Sequence, residues 1–413
     1  MPEETAQGPL VGYRVLELGS MAAGPFVGRL LADFGAEVLK VEQAEGDPVR
    51  DYGRRFEGKS LYSASIMRNK RNISLNLREV AGQDLVRRMI PKCDFVIENF
   101  RPETLERWGL GYEDLRDINP GIIMIRVSGF GQTGPYSGRA GYGIVAEAVS
   151  GLRHITGDPD RPPSRVAIPL TDYIGGLFGA YGALAALAHR EKTGEGQCVD
   201  TALYESAFSV TEPFVPQYEK TGEAGMRAGP RLPGNAPNNL YRGKDGLYVQ
   251  VTAGNDRIFK RMAEVMGQPE LAKDERFATH AVRWQHVDEL DGIISTWAAA
   301  IDSKEIEDRL NEAGVPSARI YTMAEVYEDP HFAARDMLVH VPSAELGDVT
   351  LAGVVPKLSA TPGDVRWAGR RPGQDTRAVL RELCDLDDVE LSRLEADGII
   401  YCADQLPAAA AAE

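Results

Sequence analysis

Over its first 200 or so residues the chain alternates short apolar, β-branched runs with amphipathic stretches, and this rhythm narrows the choice of fold more than any other feature. Residues 13–18 (YRVLEL) read as a strand. Gly24-Pro25 then opens a helix through VGRLLADF, with the proline near the first turn, where its missing N–H costs nothing. Gly35 ends that helix, and AEVLKVE is the next strand. NISLNL (72–77), DFVIENF (94–100) and IIMIRVS (122–128) read as further strands. Between them lie the helical stretches VAGQDLVRRMI, 102–108 and 112–118. Strand runs separated by helix-period segments are the mark of βαβ units. The strands are apolar almost throughout rather than at alternate positions, so they belong in a mostly parallel sheet covered on both faces.

The pattern changes near 215–240, where GEAGMRAGPRLPGNAPNN is rich in Gly, Pro and Asn and reads as a long connection. A hairpin follows in NLYRGKDGLYVQVT, turning at Lys244-Asp245-Gly246. Helical segments then run through RIFKRMAEVMG, VDELDGIISTWAAA and KEIEDRLNEAG. Past 340, VTLAGVV reads as β-structure and DTRAVLRELC as a helix. The division expected is 1–215 for a large α/β domain, 216–340 for a small α+β domain with its linkers, and 341–413 for a segment returning to the large domain. The polar start MPEETAQG carries no leader pattern, and the end LPAAAAAE reads as a frayed tail.

Lys and Arg number 46 against 61 Asp and Glu, a formal net charge of −15. A chain so acidic excludes a nucleic-acid or anionic-membrane partner, both of which need a basic face. It does not exclude a small anion held by a few local arginines, because distant charge is screened. The four cysteines form no CxxC pair, and the six histidines show neither HxH nor HExxH spacing, so no metal site is expected. Scattered single thiols suit a reducing cytoplasm, and no apolar run is long enough to span a membrane.

Two stretches carry chemistry. Gly129-Phe-Gly131-Gln-Thr-Gly134 spells GxGxxG after a strand, yet a dinucleotide loop must run into a helix, and here PYSGRAG follows. A glycine loop beside the site is the better reading, and an NAD-dependent dehydrogenase has no other support. Asp172 lies where VAIPL, a strand or buried segment, meets the helical run YIGGLFGAYGALAALAHR. Asp is a good N-cap. It is also a carboxylate nucleophile whose charge a helix N-terminus favours. Both readings stand together. Leu177, Phe178, Tyr181, Leu184 and Leu187 fall on related faces of that helix, while Gly175, Gly176, Gly179 and Gly182 allow a close neighbour.

Around these residues the chain resembles the class III CoA-transferase family over nearly its whole length. The matching segments are GYRVLE, Ala22-Ala-Gly-Pro25, LLADFGAEVLKVE followed by GDPVR, Asn69-Lys-Arg-Asn-Ile and VIENFRPETLERWGL. SGFGQTGP, Pro-Leu-Thr171-Asp172, KTGEGQCVDTALYE, LPGNAPNNLYRGKDG and VYEDPHF complete the series. The resemblance implies a Rossmann-like large domain whose parallel sheet is built by both chain ends, a smaller α+β middle domain, and an interlocked dimer. The dimer would be of identical chains, with a heterodimer of paralogous subunits as the alternative. It implies acyl-CoA and free carboxylic acids as substrates, with no tightly bound cofactor. Asp172 falls on the family's nucleophile.

For CoA, the family's positions fall on Met21, Ala22 and Ala23 beside the pantetheine, and on Leu75, Asn99 and Phe100 near the adenine and ribose. Arg78 and Arg107 fall near the phosphates, and Tyr142 beside the nucleophile. Gln43 and Ala140 stand where some relatives have basic residues. Backbone N–H groups near Gly131–Gly143 or Gly234–Asn239 are candidates for stabilising an oxyanion. The formyl-CoA enzymes carry a glycine run where this chain has LPGNAPNN, which argues against oxalate or formate. Acyl-CoA racemases of the same fold need a histidine soon after the glycine loop; here the nearest is His154, beyond Ser150-Gly-Leu. Succinyl-CoA as donor and a small dicarboxylic acid as acceptor are therefore expected, with Arg50, Arg139 and Arg231 as candidates for the second carboxylate.

Overall fold

The computed structural model describes residues 7–403; the first six residues and most of the terminal stretch, including LPAAAAAE, lie outside it. The described chain forms two compact units. One runs up to Leu152, takes in Val166–Pro213 and resumes at His331; the other comprises Arg153–Arg165 and Phe214–Pro330.

The strands in chain order are β1 (Arg14–Glu17), β2 (Glu37–Glu42), the two-residue β3 (Arg55–Phe56) and β4 (Lys59–Ser60), and β5 (Lys70–Leu75). There follow β6 (Phe95–Glu98), β7 (Ile123–Ser128), β8 (Cys198–Ala202), β9 (Asn238–Arg242), β10 (Tyr248–Thr252) and β11 (Ser317–Arg319). The last are β12 (Leu338–Ser343), β13 (Gly347–Ala352) and β14 (Ile400–Tyr401). The first unit's early helices are α1 (Ala23–Asp33), α2 (Leu61–Ile66), α3 (Val80–Met89), α4 (Thr104–Arg107), α5 (Tyr112–Ile118), α6 (Gly143–Val149), α7 (Leu170–Thr193) and α8 (Leu203–Ser209).

The first unit is built on a seven-stranded sheet in the order β14-β5-β2-β1-β6-β7-β8. Every pairing is parallel except that of β14, which runs antiparallel beside β5. The mixed α/β class with a parallel-dominated sheet matches the reading of the sequence. Side chains alternate across the pleat. Leu16, Leu39, Ile73, Val96 and Met124 enter one core with α3, α5 and the Thr376–Cys384 helix. Val15, Val38, Phe95, Ile123 and Ile125 enter another with α1 and α7. Both faces are covered, which explains the unbroken apolar strands.

The chain winds outward from β1 through β2 to β5, then crosses back to β6 and continues to β7 and β8. The connections after β1 and β6 leave in opposite directions, which makes the carboxyl edge between them a topological switch point, the place of the crevice in folds of this kind. This is where open α/β sheets bind ligands. The crossover helix α7 begins at that same edge.

Helix α7 packs by its small residues. A Cβ built on Gly176 would lie 2.8 Å from the Phe26 ring and 3.1 Å from the Ala23 carbonyl oxygen, and one on Gly179 would lie 2.9 Å from Val27. Leu177, Phe178, Tyr181 and Leu184 point outward and are exposed in the single chain; of the five apolar residues expected together, Leu187 alone is buried. The VAIPL segment is neither a strand nor buried: Val166 and Ile168 are exposed.

The second unit holds the antiparallel sheet β11-β10-β9 around a core including Tyr241, Val249, Phe259, Leu290 and Leu310. Its β9–β10 hairpin turns at the expected place, with Gly246 at φ +84°. Among the described residues no helix is long and apolar enough to cross a membrane.

The sheet's most buried polar feature is a set of charges under the crevice. Lys70 Nζ donates to both carboxylate oxygens of Glu17 at 2.9 and 2.7 Å and to the Pro25 carbonyl at 2.7 Å. Lys40 lies 2.9 Å from Asp47 and 3.7 Å from Glu17. Glu42 accepts two bonds from Arg50 at 2.7 Å and one from the Asp47 N–H at 2.8 Å. Burial alone would depress the Lys40 ammonium, but Asp47, Glu17 and Glu42 reverse this and hold it above its ordinary value. Lys70 has fewer carboxylates near it; burial pushes its ammonium down, and Glu17 restores only part.

A consequence can be measured. The folded chain holds the Lys70 proton less tightly than the unfolded chain, so stability rises with pH across the window below about 10.4. Glu17→Gln keeps the shape and removes the charge that holds Lys70. It should cost roughly 3–5 kcal/mol at pH 7, with part recovered at pH 9, in urea unfolding followed by circular dichroism. A loss under about 1 kcal/mol, or one independent of pH, would show that the pair is not needed.

Candidate active site

The loop between β1 and α1 is tied down at almost every residue. Lys40 Nζ donates to the Gly19 carbonyl. Asn99, just after β6, accepts from the Ser20 N–H at 2.7 Å and donates to the Ser20 carbonyl at 2.8 Å. The Met21 N–H donates to Asp47 at 3.0 Å, and Met21 sits at φ +64°, a left-handed conformation rarely taken by a residue with a side chain. Ala22 and Ala23 are buried and open α1 with methyl groups only, leaving the crevice wall free of bulk. Thus Met21, Ala22, Ala23 and Asn99 lie together, joined across the switch point by the Asn99 amide.

Phe100 follows, its ring edge-on to Trp108 at 5.5 Å and its N–H bonded to Glu98 at 2.7 Å. Arg126 ties Glu98 at 2.7 Å to Glu106 at 2.5 Å, fixing β6 against α4. Arg107 and Arg78 are exposed at the same sheet edge, and the Arg107 guanidinium donates to Thr104 Oγ1 at 3.2 Å. Leu75 behaves differently: its side chain is wholly buried in the core with Leu85 and Val379, and its backbone pairs with Ile400. Leu75 can offer a ligand little beyond the shape of the strand end.

Asp172 is the third residue of α7, three positions after the N-cap, which is Pro169. The positive end of a 24-residue helix favours a carboxylate in its first turn by roughly 0.3–1 kcal/mol. The side chain is half-buried against the first residue of α6. A Cβ on Gly143 would fall onto the Asp172 carboxylate and 2.7 Å from Thr171 Oγ1, so only glycine fits there. Thr171 Oγ1 donates to the Gly143 carbonyl at 2.7 Å and locks the two helix starts together. Tyr142 precedes Gly143 and is largely exposed.

Tyr173 follows the aspartate in α7, and its hydroxyl donates to the Tyr62 hydroxyl at 3.2 Å. Burial, the bond from Tyr173 and the nearby charge of Asp172 push the Tyr62 phenol far above its ordinary value, so it stays protonated. Tyr62 and Tyr173 are not among the residues that the sequence singles out, and Gly143 enters there only as the end of a glycine-rich stretch offering backbone N–H groups to an oxyanion. Only the lysines inside apolar strands, Lys40 in VLKVE and Lys70 before NISL, signalled the network that holds the loop.

The glycine loop is partly spent. The Gly131 N–H donates to Ser128 Oγ and the Gln132 N–H to Asp200, both at 2.9 Å. Gly129 and Gly141 press together, each lying 2.7 Å from a Cβ built on the other, and close the loop on itself. Residues 135–142 separate it from α6, unlike a dinucleotide loop. Gln43 accepts from Ser74 through its carbonyl at 3.0 Å, and Ala140 is exposed. Of the three arginines considered for a second carboxylate, Arg50 is taken by Glu42, and Arg231 by Asp288 at 2.7 Å and Asp291 at 2.8 Å. Arg139 stacks on Tyr136 at 3.5 Å, and no carboxylate ion-pairs with it among the described residues. His154 and the Gly234–Asn239 segment belong to the second unit, where Asn239 is held by Asp291 at 2.7 Å. No cluster of three metal-binding side chains occurs among the described residues.

The chain is similar to known proteins in sequence and in fold. The model of CoA-transferase family III matches residues 10–376. Succinyl-CoA–D-citramalate CoA-transferase of Chloroflexus aurantiacus is 49% identical over 95% of this chain and 98% of its own. The alpha subunit of succinyl-CoA–L-malate CoA-transferase from the same organism is 39% identical over 95% and 92%. A crystal structure of a CAIB/BAIF family protein from Brucella suis superposes with a TM-score of 0.81 at 35% identity, covering 91% of this chain and all of that one. With the family model spanning most of the chain and the crevice built as described, this protein belongs to CoA-transferase family III.

Proposed function

We propose that this enzyme moves CoA from succinyl-CoA to a small dicarboxylic acid, with Asp172 as the covalent nucleophile. The observation that carries the reading is the seat of Asp172: a carboxylate in the first turn of α7, pressed on a glycine, at the same sheet edge as the crevice loops. The substrates come from the relatives. Those acting on D-citramalate and L-malate both use succinyl-CoA, and both acceptors are hydroxylated dicarboxylic acids.

The chemistry follows from one carboxylate. An Asp172 oxygen attacks the succinyl thioester carbonyl, the C–S bond breaks, and CoA leaves as thiolate with a mixed anhydride behind it. The thiolate attacks the aspartyl carbonyl of that anhydride; succinate leaves, and an aspartyl-CoA thioester remains. The acceptor carboxylate attacks this thioester, forming a second anhydride and freeing the thiolate again. The thiolate then attacks the acceptor carbonyl, releasing the new acyl-CoA and the Asp172 carboxylate. One thioester replaces another, so no energy source is required. A carboxylate is a weak nucleophile, and positioning must supply its effective concentration. The locked Thr171–Gly143 contact provides that.

CoA itself would lie along Met21–Ala23 and Asn99–Phe100, with Arg78 and Arg107 at the open edge for its phosphates and Tyr142 over the thioester. Arg139, which ion-pairs with no carboxylate among the described residues, is the remaining candidate for the second carboxylate of the acid. The exposed apolar side of α7 (Leu177, Phe178, Tyr181, Leu184) needs a cover, and a dimer supplies one. Identical chains suffice, since this chain carries its own aspartate; an alpha-and-beta pair like the malate enzyme's is the alternative. Four unpaired cysteines fit a reducing cytoplasm.

Three outcomes are expected. In a panel of free acids with succinyl-CoA, followed by chromatography of CoA esters, citramalate, malate or another short dicarboxylate yields product; failure of every dicarboxylate overturns the substrate reading. Asp172→Ala abolishes exchange while succinyl-CoA still binds in calorimetry, and a near wild-type rate would refute the nucleophile. Gly143→Ala displaces the carboxylate and lowers kcat about 10²-fold or more with little change in thermal midpoint; an unchanged kcat would show that the seat is not needed.

A further inference from the structure

The two tyrosines beside Asp172 are each pinned. Tyr62, on α2, packs with Ala22, Val49, Ile66, Met67 and Phe26, so its ring lies against the loop that opens α1. Tyr173 follows Asp172 in α7 and meets the Phe26 ring edge-on at 4.7 Å. Their hydroxyls come together at 3.2 Å. The pair thus joins the wall of the crevice to the residue after the nucleophile.

A proton count shows what the pair offers. Two phenols carry two hydroxyl protons, and the bond between them uses one. Hydroxyl hydrogens rotate, so the bond can run either way. Whichever way it runs, one proton is left over, and neither hydroxyl makes another hydrogen bond among the described residues. Tyr62 stays neutral, because burial, the Tyr173 bond and the Asp172 charge all disfavour its phenolate. An unspent donor at this position has one use in acyl exchange. Each tetrahedral step puts negative charge on a carbonyl oxygen, and two of the glycine-loop N–H groups suited to stabilise it are already bonded to Ser128 and Asp200.

We infer that the Tyr62–Tyr173 pair donates its remaining phenolic proton, as a hydrogen bond, to the oxygen of the acyl group reacting at Asp172. This deepens the covalent reading of Asp172 and rests on it. No proton is transferred: the bond strengthens as the oxyanion forms and weakens as it collapses. Because the hydroxyls act in series, losing either one disturbs the same donor.

The test is steady-state exchange between succinyl-CoA and its acceptor acid by the full chain carrying Tyr62→Phe, Tyr173→Phe or both. Each single variant should lower kcat about 10–10²-fold, with the KM for succinyl-CoA and the thermal midpoint nearly unchanged. The double variant should lose no more than the worse single, since the pair is one unit. A packing role would give losses that add and follow the thermal midpoint. A kcat within about threefold of wild type in Tyr62→Phe, or additive losses, overturns the inference. If Tyr62→Phe fails to fold, Tyr173→Phe decides it by the same split of kcat from KM. Asp172→Ala, assayed beside them, reports on the nucleophile alone, so the two readings fail in different variants.

Discussion

Everything at the crevice rests on buried charge. Glu17, Lys40, Lys70, Asp47 and Glu42 are wholly or almost wholly out of water, on or just after three adjacent parallel strands. Isolated, any of them would cost several kcal/mol to bury. Together with Arg50 they neutralise one another, and their spare donors and acceptors turn to backbone: Lys40 to Gly19, Asp47 to Met21, Lys70 to Pro25. The network fixes a loop that has almost no side chains of its own to fix it. A hydrophobic substitute could fill the volume, but it could not hold Met21 in a left-handed conformation. Gly28 shows how closely the parts are fitted, since a Cβ there would strike Glu17.

The second constraint is closeness of backbone. Helix α7 must lie near enough to α1 for Asp172 to reach the crevice, and glycines at 176 and 179 permit it by removing the side chains that would hold the helices apart. The same economy repeats at Gly143. Small residues face inward, so the large apolar ones had to go outside. The apolar outer face of the single chain is therefore the other side of the close packing of α7 on α1.

These two constraints also explain how much could be read beforehand. The parallel sheet was legible because β-branched runs buried on both faces leave a continuous apolar signature. Asp172 was legible as an address, a carboxylate at the start of a glycine-rich helix; the order of motifs supplied the proposal for its chemistry. Its helical position was off: the reading as a cap assumed that VAIPL ran buried into the helix, and that segment is exposed irregular chain. Leu75 was carried over from a motif position, but a strand end can contribute its backbone while its side chain serves the core. The Tyr62–Tyr173 contact was beyond reach, because nothing in one sequence tells that residues 111 positions apart share a hydrogen bond. Arg50 and Arg231 failed as free cations for a similar reason: in so acidic a chain an arginine near a β-strand or a helix end readily finds a carboxylate.

An aspartate is a poor nucleophile, and its use in the proposed reaction follows from symmetry. Donor, enzyme and acceptor all present a carboxylate, so each half of the exchange passes through the same kinds of anhydride and thioester in opposite order. One seat for the carboxylate and one donor for the oxyanion can then serve both halves, provided that neither moves between them. A serine would lack this symmetry, because its ester could not hand CoA back as a thioester of comparable energy. Rigidity, more than reactivity, is therefore what the fold must deliver. The locked start of α7, the glycine at 143 and the charge network under the loop are all means of holding a modest group still while the acids around it change.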